Sequence, residues 1–225
     1  MNNTNYLKAF LPEQRLSTDT FEITFTTVEV GELVLTSGKL VACDPLTLAD
    51  SAPFTINLEA GSYPVLLSIA HIKKNDNQQE SHAVAYAMIR LSDETQEPLT
   101  WQMATHLGET PSSLREEEFF GYSVDSGSGS FMDSDVASMI DDSIYAEDEE
   151  EILIYQLQNL LEDHQMYTCS WANMCVDRRL GANVIAFSSG WGDGVYPTYI
   201  GIDRERKIIS VVTDFHVCPK SFLTT

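Results

Sequence analysis

Two stretches of this chain combine glycine with aspartate, and they hold the residues best placed by type and spacing to do chemistry. One is Gly121-Tyr122-Ser123-Val124-Asp125-Ser126-Gly127-Ser128-Gly129-Ser130-Phe131-Met132-Asp133, and the other is Ser188-Ser189-Gly190-Trp191-Gly192-Asp193-Gly194-Val195-Tyr196. Glycine at this density lets the backbone take positive φ and approach a ligand closely, and carboxylates fixed beside it can hold a hard divalent cation through oxygen. Asp125, Asp133 and Asp193 are therefore candidate metal or ligand residues, or an acid and base. The spacing is not that of an EF-hand. Counted from Asp125, the third and fifth positions are Gly127 and Gly129, the sixth is Ser130 and the twelfth is Val136. The lysine and serine of a P-loop are missing too, and the acids would repel phosphate. Each aspartate also has an ordinary local role: Asp133 can cap a helix and Asp193-Gly194 can turn a hairpin. No cofactor is expected beyond a divalent cation at these residues.

Nucleophilic catalysis finds less support. Ser188 and Ser189 precede Gly190 without a Gly-x-Ser-x-Gly elbow, and His71, His82, His106, His164 and His216 sit in unrelated segments. His71 and His216 continue apolar strands and read as half-buried strand residues. Cys43 precedes Asp44-Pro45, and a neighbouring acid raises a thiol's pKa. Cys169 and Cys175 are separated by five residues, which is not zinc-ribbon spacing, so four free thiols in a reducing compartment are expected. No triad can be assembled, and the reading leans against an enzyme.

The elements that must position these residues are legible in outline. Segments 21–28, 32–35, 39–43, 54–58, 63–72 and 82–91 read as strands, punctuated by Gly31, Ser37-Gly38 and Gly61-Ser62, with a polar loop tip at 75–80. Asp133 or Ser134 can cap a helix whose apolar positions are Val136, Met139, Ile140 and Ile144. A second helix is expected over about 148–163, with Leu153, Leu157, Leu160 and Leu161 on one side and Glu149, Glu150 and Glu151 in its first turn, where the helix dipole favours them. Strands at 183–187, 196–202 and 207–215 complete the chain. The order predicts an α+β fold, an antiparallel sheet (meander or sandwich-like) with a central two-helix segment. One domain over 1–225 is expected, comprising an N-terminal extension (1–20), a mainly strand region (21–132), an acidic helical segment (133–165) and C-terminal strands (182–217).

Charge is distributed unevenly. The formal net charge is -21, and between Arg115 and Arg178 there is no Lys or Arg but sixteen acids. Such a concentration repels nucleic acid and anionic membrane and attracts basic proteins. Glu116, Glu117, Glu118, Asp141, Asp142, Glu147, Asp148, Glu149, Glu150 and Glu151 are the candidate partner-binding residues. Residues 1–15 are polar, unlike a secretory signal, and no run of eighteen apolar residues occurs. A soluble cytoplasmic protein is expected.

An ordered series of motifs also resembles a known family. Gly38-Lys39-Leu40-Val41-Ala42-Cys43-Asp44-Pro45, then Gly61-Ser62-Tyr63-Pro64-Val65, then Val124-Asp125-Ser126-Gly127 with Phe131-Met132-Asp133, and finally Phe187 to Tyr196 look like the signature of a bacterial family catalogued as domain of unknown function four-two-four-one. The likeness spans roughly residues 25–217 and implies a compact bacterial domain, with no established catalytic residues to carry over. The family's recurring glycines and aspartates add Asp44 to Asp125, Asp133 and Asp193 as positions to test together. The acidic stretch 141–151 departs from the family's pattern and suggests a partner particular to this chain.

Two functions follow as expectations. The first is an acidic interaction protein for a basic protein partner, in the manner of an immunity or antitoxin-like inhibitor of a nucleic-acid-acting protein. The alternative is a metal-dependent enzyme or small-ligand binder using the two glycine and aspartate loops.

Overall fold

Within 63–72 and 82–91 apolar residues follow one another instead of alternating, the pattern of strands covered on both faces. The computed structural model, which describes residues 4–76, 79–92, 97–148, 152–163, 165–166 and 169–224, shows what covers them. Along the chain, β1 (Arg15–Ser17), β2 (Phe21–Leu35), β3 (Leu40–Cys43), β4 (Gly61–Lys74), β5 (Glu80–Arg90) and β6 (Thr100–Met103) are followed by β7 (Tyr122–Val124) and β8 (Ser128–Asp133). Two helices come next, α1 (Ser134–Ser143) and α2 (Leu153–Asp163). The chain then forms β9 (Gln165–Met166), β10 (Cys169–Asp177), β11 (Ala182–Ser188), β12 (Gly194–Tyr196), β13 (Thr198–Ile202) and β14 (Ile208–Asp214).

The first sheet has the order β1-β2-β4-β5-β14-β13-β6, the second β3-β8-β11-β10-β9, and β12 pairs with β7 as a ribbon. The described pairings are antiparallel, and the fold is α+β. Between the sheets lie Val65, Leu67, Ile69, Val84, Ala87 and Ile89 of the first and Leu40, Ala42, Phe131, Ile185 and Phe187 of the second. The outer face of the first sheet, with Leu66, Ala70, Tyr86, Met88 and Val212, is covered by Tyr6 and Ala9 near one terminus and Phe222 and Leu223 near the other. The outer face of the second, with Val41, Met132, Val184 and Ala186, is covered by Val136, Ala137 and Ile140 of α1 and Leu157 and Leu161 of α2. Each large apolar side chain so buried contributes on the order of 1.5–3 kcal/mol, so both helices are held mainly by this contact.

Several local expectations change in the tertiary setting. The strands expected at 21–28 and 32–35 are one long strand, β2, bent where its register shifts between Glu29 and Gly31. Gly31 has φ 127, which only glycine adopts readily, so it marks a β-bulge and not a turn. Ser37-Gly38 does more than separate two strands of one sheet: it carries the chain from β2 in one sheet to β3 in the other. Segment 54–58 is not a strand and is tied instead by Phe54 N–H to Leu40 O and Leu58 N–H to Gly38 O, both at 2.9 Å. Gly61-Ser62 begins β4, and the stretch 121–133 contains β7 and β8 where a loop was expected. The 196–202 strand is split into β12 and β13 around Pro197. β6 and β10 have no counterpart in the expected elements.

The helices follow their caps more closely than their apolar spacing. Asp133 caps α1 by accepting from Asp135 N–H at 3.0 Å. Val136 and Ile140 are buried as expected, whereas Met139 and Ile144 are exposed. α2 starts at Leu153 and its first turn holds no acid, so Asp148 precedes the helix and the dipole does not account for it. Glu149, Glu150 and Glu151 lie outside the described residues.

Candidate functional site

Each candidate aspartate is placed by the β3–β8 pair or by the β7–β12 ribbon. Asp133 ends β8 with its side chain fully buried, and its two oxygens accept from Ser37 N–H at 2.9 Å, Ser37 Oγ at 2.7 Å, Gly38 N–H at 3.2 Å and Asp135 N–H at 3.0 Å. It therefore holds the sheet-crossing turn and the start of α1 together. Gly38 has φ 74, and a Cβ there would collide with the Leu58 carbonyl oxygen, so the turn needs glycine at that position.

Asp44 follows β3 and is also fully buried. It accepts from Leu46 N–H at 2.9 Å, Asp125 N–H at 2.9 Å, Ser126 N–H at 2.7 Å and Ser126 Oγ at 2.7 Å. A buried carboxylate is costly unless donors surround it, and these charge-assisted bonds supply them. Leu40 pairs with Asp133 and Cys43 with Ser130, so Asp44 and Asp133 sit at opposite ends of the β3–β8 pair. At about 3.4 Å per residue that is too far for one ion to bridge.

The exposed pair is arranged differently. Val124 pairs with Gly194, and Ser189 N–H donates to Gly127 O at 3.0 Å, so the two glycine loops meet. Asp125 and Asp193 flank this contact with exposed side chains, and Trp191 beside them is 63% exposed. The structure thus brings Asp125 near Asp193, ties the backbone of Asp125 to Asp44, and leaves Asp133 apart.

The candidate nucleophiles are engaged elsewhere. Burial, and secondarily Asp44 and Asp50, push the Cys43 thiol up to about 12. Ser188 Oγ accepts from Ser170 N–H at 2.8 Å, and Ser189 Oγ donates to Gly192 O at 2.9 Å. The cysteines are free thiols, Cys175 exposed and the other three buried. One buried acid escaped notice in the sequence: Asp214, at the end of β14, is pushed up to about 6 by burial, against the opposing effects of His216 N–H and Lys220.

The candidate partner-binding acids that the structure describes are exposed: Glu116, Glu117, Glu118, Asp141, Asp142, Glu147 and Asp148. The first three lie before β7, in a segment anchored by Phe119 against His216 and by Phe120 N–H to Met103 Sδ. The rest lie on the helical layer. Asp141 and Asp142 stand in the last turn of α1, where no basic residue offsets the carbonyl end of the helix dipole. Among the described residues, Glu116, Glu117, Asp141, Asp142 and Glu147 pair with no cation.

One constellation was missed. Among the described residues, His71, Glu80 and His82 form a group of metal-capable side chains with ligand atoms all within 4.8 Å of one another. His71 and His82 are directly paired across β4 and β5, with ring centroids 4.7 Å apart. A hairpin centred on the expected 75–80 tip sets His71 opposite Val84, whereas the observed register, with Lys73 opposite Glu80, sets it opposite His82.

The family described as a protein of unknown function, DUF4241, matches residues 33–213. The chain belongs to this family. In this DUF4241 member the matched span runs from within β2 into β14, so it takes in the second sheet, the two helices and Asp44, Asp125, Asp133 and Asp193. No curated protein and no solved structure matches the chain. Among the described residues, no helix is long and apolar enough to cross a membrane.

Proposed function

We propose that this DUF4241 protein is an acidic interaction protein whose helical layer docks a basic protein, of the kind whose cationic groove is built for phosphates. The observation that carries the reading is the composition of that layer's outer side. Tyr145 is 83% exposed, Tyr155 51%, Ile144 45% and Met139 37%, and they stand among Asp141, Asp142 and Glu147. Ser143 Oγ accepts from Leu153 N–H at 3.0 Å, so Ile144, Tyr145 and Tyr155 emerge around one junction between the helices. Aromatic anchors ringed by charge are what interface hot spots use, and carboxylates without nearby cations steer a basic partner. Asp141 and Asp142 oppose the dipole of their own helix, so helix stability does not account for them.

Affinity capture from the native host tests this, using the intact chain beside Tyr145→Ala and an Asp141→Lys/Asp142→Lys variant. The expected partner is basic, is released by rising salt, and is lost by both variants while their melting temperatures hold. An acidic partner, or capture indifferent to salt and to both variants, overturns the proposal.

A second reading rests on the meeting of the two glycine loops, with Asp125, Asp193 and Trp191 exposed at the contact. Thermal melts with calcium, magnesium and manganese test it. A shift that Asp193→Ala abolishes supports a divalent-cation or ligand site there.

A further inference from the structure

The glycine loops and the helical layer leave the histidines at the turn end of β4 and β5 without a role. Strand alternation puts His71 in line with Ile69 and His82 in line with Val84, both of which face the space between the sheets. Both imidazoles are mostly covered, with side chains 15% exposed, while Glu80 is 53% exposed. Glu80 Oε1 lies 3.2 Å from His82 Nε2 and 3.7 Å from His71 Nδ1. A tetrahedral ion bound at about 2.0–2.1 Å keeps its ligand atoms about 3.3 Å apart, so small side-chain rotations close the group around a metal.

A second observation concerns the tautomer. His71 Nε2 is 2.9 Å from Thr26 Oγ1 on the neighbouring strand β2. A metal-bound histidine donates its other ring N–H to such a partner, which fixes the ring and leaves the free lone pair aimed at the ion. Here that lone pair belongs to Nδ1, the atom facing Glu80. Lys73, which pairs with Glu80 and with Glu22, shares this face one step nearer the turn, and Glu22 is held by Arg15 at 2.9 Å.

We propose that His71, Glu80 and His82 bind a zinc ion through Nδ1, a carboxylate oxygen and Nε2, with Thr26 orienting His71 from β2. Two imidazoles and one carboxylate suit zinc, whereas calcium and magnesium require oxygen donors throughout. Three protein ligands leave the fourth position to water. The site is distinct from the aspartates at the glycine loops and from the docking surface of the helices, so it stands whether or not the interaction proposal does.

The test is zinc titration of the intact, chelator-stripped protein against a chromogenic competitor. One equivalent is expected to bind stoichiometrically at micromolar protein, to raise the melting temperature, and to resist displacement by millimolar calcium or magnesium. His71→Asn and His82→Asn each abolish this, and Thr26→Val weakens it about 10- to 100-fold. Glu80→Gln, on an exposed side chain, weakens it without altering the metal-free melting temperature. Cobalt in place of zinc gives a tetrahedral visible spectrum without thiolate charge transfer, and Cys175→Ser leaves it unchanged. The proposal fails if zinc binds only weakly or at several equivalents, if the double variant His71→Asn/His82→Asn binds as the parent does, or if the cobalt spectrum shows a thiolate ligand. Should the histidine variants not fold, Glu80→Gln and Thr26→Val decide it, and unchanged affinity in both overturns it.

Discussion

Asp44 and Asp133 at the ends of the β3–β8 pair, and Asp141, Asp142 and Glu147 on the helical layer, put the same carboxylate to opposite uses. The first two are fully buried, and each accepts four hydrogen bonds from nearby backbone and serine donors. The others are exposed and, among the described residues, pair with no cation. A carboxylate is an asset inside only where the fold gathers donors around it, and outside it costs little because water solvates it. Asp214 is the intermediate case. It is buried, but it accepts one backbone N–H, from His216 at 2.9 Å, and its pKa rises to about 6.

That contrast can be broken in decreasing steps. The largest effect is expected for Asp133→Ala, which removes an N-cap and strands the Ser37 and Gly38 amides. A loss of roughly 3–5 kcal/mol in denaturant melts is expected, with Asp133→Asn retaining part of it. Asp44→Ala follows with about 2–4 kcal/mol, and amide exchange should quicken first at Asp125 and Ser126, whose N–H groups lose their acceptor. A loss under 1 kcal/mol at either position would dissolve the distinction between the two groups of acids.

Asp214 sharpens the comparison through pH. A carboxyl whose folded pKa lies above its unfolded value binds more protons when folded, so stability falls as pH rises between the unfolded value near 3.8 and the folded value near 6. The span amounts to about 3 kcal/mol. Urea melts at pH 5 and pH 7.5 should show the part of this loss that falls above pH 5, about 1.4 kcal/mol, on top of other titrations, and Asp214→Asn should remove most of it. A pH profile identical in the variant would place the buried charge elsewhere. The smallest step is Asp141→Asn/Asp142→Asn, expected to change stability by less than about 1 kcal/mol and in the favourable direction, because it relieves the dipole of α1. A marked destabilisation would mean these acids support the fold.

How far the fold was legible depended on what each residue needed from a distance. β4, β5, β11 and β14 were visible because they bury both faces, and a continuous apolar run survives any choice of partner. The cap at Asp133 was visible because it acts within two residues. Gly31 was misread because a bulge and a turn ask the same positive φ of glycine, and only pairing with β4 separates them. β8 was hidden inside a serine and glycine run: Ser128, Gly129 and Ser130 are poor strand formers, yet Phe131 and Met132 draw them between β3 and β11. Met139 and Ile144 fitted a helix's buried side by spacing alone, whereas the sheet below is reached by Val136, Ala137 and Ile140. The histidine cluster was invisible for a similar reason. His71 and His82 were treated as members of separate segments, and their meeting depends on register.

The sequence by itself determined the class of the fold, the start of α1 and the concentration of acid in a lysine-free stretch, since periodicity, capping and composition are local properties. Only the tertiary structure decided that Asp44 reaches across to Asp125 and Ser126, that α2 starts at Leu153 and not near Asp148, and that Thr26, His71, Glu80 and His82 converge. Those outcomes depend on strand register and sheet order, which follow from packing the two sheets against each other and carry no trace in any single stretch of chain.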